Sequence, residues 1–135
     1  MNNGEIQIQF PQPGNWQEFT LTAIYQDKGG YRPPARYTQD EIPADQALAM
    51  QAVVSALVEL AEPWQAAQVW AHLMTATVYN EDDPYTPVGQ RDEVALDVEA
   101  VNPQGGRRIF TVYDYPAFII TEPAAVEFFK HFTTK

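Results

Sequence analysis

Cysteine is absent from the chain, serine occurs once (Ser55) and histidine twice (His72 and His131). Without thiols there is no disulfide framework, no thiolate zinc site and no cysteine nucleophile. Ser55 falls inside an alanine-rich helical pattern, on a polar stripe with Gln51, Glu59 and Glu62. A serine nucleophile needs a strained turn beside a histidine base, which that position does not supply. Neither histidine has the His-x-x-x-His or His-x-Glu spacing that marks a metal site. His131 lies near the end of the last helical pattern, where a positive charge complements the helix dipole. No catalytic residue, metal or cofactor is therefore expected.

Long apolar runs are missing too. No window of about 18 apolar residues exists to span a bilayer. Met1 to Phe10 alternates polar and apolar residues and does not show the basic start and apolar stretch of a signal peptide. No membrane partner is expected, and the chain reads as cytoplasmic or as a component of a phage particle. Basic residues are scarce, three lysines and five arginines. Affinity for nucleic acid comes from such cations displacing counterions, so no nucleic acid partner is expected either.

What is present is an acidic, foldable composition. The 135 residues carry a formal charge of -10 with 45% hydrophobic and 13% aromatic residues. That apolar fraction is sufficient for one core, and the length suits a single domain over residues 1–135. Ile6–Phe10 alternates with period two and ends at Pro11-Gln12-Pro13-Gly14, which predicts a first strand and a turn. Trp16–Gln26 alternates again and predicts its hairpin partner. Asp27–Pro43, with Gly29-Gly30 and Pro33-Pro34, breaks the pattern and predicts a long loop. A helix is predicted from Pro43 to Ala61, with Ala47, Met50, Val54, Leu57 and Ala61 on its apolar face, and Pro63 as its stop.

Gln65–Tyr79 fits either period, and Thr75, Thr77, Val78 and Tyr79 favour a strand. Asn80–Asp92 reads as loop. Glu93–Val101 then alternates strongly, with Val94, Leu96 and Val98 inward and Glu93, Asp97 and Glu99 outward. Asn102–Gly106 supplies a hairpin turn, and Arg107–Tyr115 the return strand. Ala117–Ile120 is a short buried run, and a helix capped by Thr121 runs from Pro123 to about Thr133. The order β-β-α-β-β-β-α predicts an α+β fold, an antiparallel sheet of about five strands with two helices on one face.

Three groups of residues stand out as candidate sites. The segment from Lys28 to Tyr37 interleaves bases with aromatic rings, and Tyr31, Arg32, Arg36 and Tyr37 suit recognition of a partner chain. Glu81, Asp82 and Asp83 form a dense carboxylate cluster, but without the alternating acids, central glycine and terminal glutamate of a calcium loop. Asp97 and Glu99 share the outer face of one strand and extend that negative region. Residues 80–99 carry seven acids and one base, so the acidity is concentrated there. A third group, Trp70, His72, Tyr113 and Tyr115, would line a small-ligand pocket if one opened between sheet and helices.

The residues point first to a non-enzymatic interaction or assembly protein of bacterial or phage kind. It would contact a partner protein or its own copy, as a homo-oligomer, through an exposed sheet face and the aromatic and basic loop. Two other readings remain open at this level: an acidic inhibitor or immunity-type protein that blocks a basic partner through Glu81, Asp82, Asp83, Asp97 and Glu99, and a small-ligand binder or enzyme built on the third group.

Overall fold

A computed structural model of the chain describes residues 4–25, 30–38 and 40–133, with the backbone alone described at residues 25 and 30–32. The elements are β1 (Glu5–Gln9), β2 (Glu18–Tyr25), β3 (Gly30–Thr38), α1 (Ala44–Leu57), β4 (Gln65–Tyr79), β5 (Pro87–Val101), β6 (Arg107–Phe110), a 3-10 turn (Pro116–Phe118), β7 (Ile119–Ile120) and α2 (Pro123–Phe132). All strands belong to one antiparallel sheet in the order β3-β2-β1-β4-β5-β6, with β7 pairing β5 ahead of β6 on the same edge. The fold is α+β, as the alternating pattern predicts, with seven strands where about five were expected.

Alternation produces the core directly. Ile6 and Ile8 stand opposite Ala23 and Leu21 on one side, and opposite Ala71 and Val69 on the other. Val69, Ala71 and Leu73 in turn face Val98, Leu96 and Val94, so one apolar face runs across four strands. The helices cover that face. α1 buries Ala49, Met50, Val53, Ala56 and Leu57, and α2 buries Ala125, Val126, Phe128, Phe129 and Phe132. Phe118, fully buried, stacks on Tyr115 with ring centroids 5.0 Å apart. Burial of a large side chain of this kind contributes about 1.5–3 kcal/mol.

Five local expectations are corrected. The segment after Lys28 is not a loop: Gly30–Thr38 is edge strand β3, pairing β2 with a register shift between Leu21 and Ala23. Pro33 and Pro34 are compatible with this because an edge strand leaves one side of its backbone unpaired. β5 starts at Pro87 rather than Glu93, since its first residues pair with Thr75–Tyr79 of β4. β6 ends at Phe110, where Asp114 accepts the Thr111 N–H at 3.2 Å and donates its own N–H to the Thr111 carbonyl at 3.0 Å, closing a turn. α1 ends at Leu57, short of Ala61, and its apolar face is turned so that Ala49, Val53 and Ala56 are buried with Met50 and Leu57. α2 has Glu122 at its N-cap position, with no side-chain capping bond from Thr121. The turn at Asn102–Gly106 is as expected: Gly105 takes a φ of +84°, and the Asn102 side chain accepts the N–H groups of Gln104 and Gly106.

Candidate functional site

Among the described residues, two surfaces of the sheet remain uncovered. The first is the second face of the sheet. Its central row holds Gln7, Trp70 and Asp97, directly opposed across β1, β4 and β5, and the next row holds Glu5, His72 and Ala95. Trp70, His72, Asp97 and Glu5 are all half-buried there. Burial pushes the Glu5 carboxyl above its ordinary range; His72 opposes that shift and Asp97 adds to it. No described helix or loop packs over this row, which is usual for an antiparallel sheet with one solvated face.

The second is an arm. β1 pairs β4 only as far as His72, and β7 pairs β5 no further than Val94. Beyond those points β4 and β5 pair only with each other among the described residues, from Met74↔Glu93 to Tyr79↔Pro87. Six residues of strand reach about 20 Å. The root of the arm is tied to α2 by Lys130 Nζ, 2.8 Å from an Asp92 carboxylate oxygen that is thereby held below the usual carboxylate range. Four of the eight exposed large hydrophobic side chains among the described residues lie on this arm: Met74, Tyr79, Tyr85 and Val88. Tyr85, at the tip, is 91% exposed.

The tip folds on its own side chains. Asn80 accepts the Asp82 N–H at 2.8 Å, and Asp83 accepts the Tyr85 N–H at 3.1 Å and the Thr86 hydroxyl at 2.5 Å. Those two bonds, the hydroxyl first, hold the Asp83 carboxyl below its ordinary range. The sequence marks Glu81, Asp82 and Asp83 as a group, and the structure puts all three at the end of the arm.

The other candidate groups disperse. Arg36 and Tyr37 point to opposite sides of β3: Arg36 pairs with Glu18 at 2.5 Å, while the Tyr37 ring packs on Phe19 with centroids 5.9 Å apart. Lys28 and Gly29 lie outside the described residues, as do the side chains of Tyr31 and Arg32. Asp97 sits on the sheet's open face, and Glu99 is engaged by Arg107 at 2.5 Å, so neither joins the arm's tip. Glu93, expected to point into solvent, is only 5% exposed and is clasped by Arg91 at 2.7 Å.

Trp70 and His72 lie on the sheet face away from the helices. Tyr115 lies on the helix side between Phe110 and Phe118, its hydroxyl accepting the Ala61 N–H at 3.2 Å. Tyr113 is 95% exposed in the turn after β6. The four do not line one cavity. The groove between α1 and α2, about 360 Å³ and walled by Gln46, Glu127, Phe128 and His131, contains none of them. Ser55 is exposed on α1 and makes no hydrogen bond to either histidine. No group of three or more His, Cys, Asp or Glu among the described residues could hold a metal. No described helix is long and apolar enough to cross a membrane.

The chain matches no family model, no curated protein and no solved structure.

Proposed function

We propose that the protein is a non-enzymatic interaction or assembly protein that engages a partner chain through the β4–β5 arm, with the open sheet face beside it. One observation carries this reading. A two-stranded ribbon about 20 Å long stands clear of the body and exposes Met74, Tyr79, Tyr85 and Val88. Isolated ribbons of this kind contribute little to their own fold, since two strands without a covered face are marginal in water. Exposed aromatic side chains on such a projection resemble the anchors that dominate binding energy at protein interfaces. The aromatic and basic segment contributes as edge strand β3, whose Arg36 is already paired, and so plays a lesser part than its composition predicts.

The test is site-directed photo-crosslinking in the source cells. A photoreactive phenylalanine analogue replacing Tyr85 is expected to give one dominant protein adduct, absent when the analogue replaces exposed Val58 at the C-cap of α1. Equal labelling from both positions, or none from Tyr85, Tyr79 and Val88 alike, would refute the reading.

A further inference from the structure

Among the described residues four lengths of edge longer than two residues are open, and three of them are guarded. Edge strand β3 carries Pro33, Pro34 and Arg36 and lies opposite a register shift. β6 is four residues long, and its Arg107 and Arg108 are paired with Glu99 and Asp114. The free side of β5 along the arm holds Pro87, Gly89, Arg91 and Asp92. Charges, prolines, glycines and irregular pairing are the devices by which sheets prevent another strand from adding to them.

The fourth edge has only the last of these, a register shift between Val78 and Tyr79 at its far end. From Leu73 to Tyr79 the outer side of β4 has no partner among the described residues. Its sequence, Leu73-Met74-Thr75-Ala76-Thr77-Val78-Tyr79, contains no charge, proline or glycine and is rich in strand-favouring residues. Alternate N–H and C=O groups along such an edge are free to receive a strand.

Charge identifies the occupant. Glu5 stands on β1 where the open edge begins, opposite His72, and Glu81 and Asp82 stand where it ends. The five cations whose side chains are described, Arg36, Arg91, Arg107, Arg108 and Lys130, each pair with a carboxylate of the chain, and none pairs with Glu81, Asp82 or Asp83. An edge that is neutral in the middle and acidic at both ends fits an extended segment with an uncharged centre and basic flanks. A second copy fits worse. Antiparallel pairing of two β4 edges about Ala76 would drive each acidic tip towards the other copy's β1, against Glu5.

We infer that the outer edge of β4, Leu73–Tyr79, binds an extended segment of a basic partner chain as an added strand, with Lys or Arg at the ends of that segment meeting Glu5 at one end and Glu81 and Asp82 at the other. This rests on the interaction reading above and names its partner's chemistry. The test is amide hydrogen exchange on the whole protein. Its probes are a synthetic peptide of alternating threonine and valine with paired lysines at each end, and the same peptide ended in glutamates.

The lysine-ended peptide is expected to slow exchange of alternate amides within Leu73–Tyr79 at least tenfold, and the glutamate-ended one to leave them unchanged. Glu81→Gln with Asp82→Asn is expected to weaken binding severalfold, as does added salt. Ala76→Lys, which places a guard charge on the edge, is expected to abolish it; circular dichroism checks that variant's fold. No protection by the lysine-ended peptide, or equal protection by both peptides, overturns the inference. So does protection of the same amides without any peptide, whether constant or rising with protein concentration. In each of those cases a dominant crosslink from Tyr85 leaves the interaction reading standing, and its absence removes both.

Discussion

The two halves of β4 share one strand and differ in everything that surrounds it. From Gln65 to His72 it runs beside β5, with β1 on its other side from Gln68 onward, and buries Ala66, Val69 and Ala71 beneath the helices. From Met74 to Tyr79 it has, among the described residues, one neighbour, no covering layer and side chains exposed or half-exposed on both faces. Both halves favour strand. The comparison teaches that strand propensity specifies the backbone, while the neighbours a strand acquires decide whether it becomes core or surface.

The largest expected contrast comes from truncation in the body. Phe118→Ala removes a fully buried ring stacked on Tyr115 and is expected to cost about 3–5 kcal/mol in urea unfolding. A cost below about 1 kcal/mol would show that the layer under α1 is loosely packed.

The root of the arm gives a smaller, pH-dependent effect. Lys130 lowers the Asp92 pKa in the folded chain, so the pair contributes stability above the unfolded-state aspartate range. That contribution is lost as pH falls through the lowered folded value. Asp92→Asn is therefore expected to be slightly less stable than the parent at neutral pH, with the two melting curves converging in acid. Its exposure to solvent keeps the effect modest. A difference that persists unchanged to low pH would show that Asp92 acts by packing and not by charge.

The smallest effect is expected at the tip. Tyr85→Ala should change stability by no more than about 0.5 kcal/mol, because that residue is 91% exposed among the described residues. If it destabilised the protein as Phe118→Ala does, the arm would have to be counted as part of the body.

Much of the body is legible in the residues. Alternation at Ile6–Phe10 and Glu93–Val101, the Asn102–Gly106 turn and the apolar stripe of α2 each report a local periodicity that the structure follows. The misreadings have a common cause. Pro33 and Pro34 look like strand breakers, yet are tolerated where one side of the strand faces no neighbour. Pro87-Val88-Gly89 looks like loop, yet pairs because Val78 and Tyr79 stand opposite. Glu93 looks exposed, yet is covered because Arg91 folds over it. Each depends on a contact, across the sheet or along the strand, that side-chain period alone does not report. The arm's tip was visible as a carboxylate cluster, while the open edge beside it left no local sign beyond an uncharged run from Leu73 to Tyr79.

By itself the sequence determined the α+β class, the apolar face of the sheet, the concentration of negative charge near residues 80–99 and the poverty of reactive side chains, because composition and side-chain period are properties of neighbours along the chain. Tertiary structure alone decided which strands lie at edges, that β4 and β5 outrun the rest of the sheet, that Trp70 and His72 face away from Tyr115, and that the described cations are matched by carboxylates of the same chain. The first three are relations between residues far apart in sequence, fixed by strand order and register, and no local pattern encodes them, while ion pairs such as Arg91 with Glu93 join near neighbours and depend on how their side chains are placed.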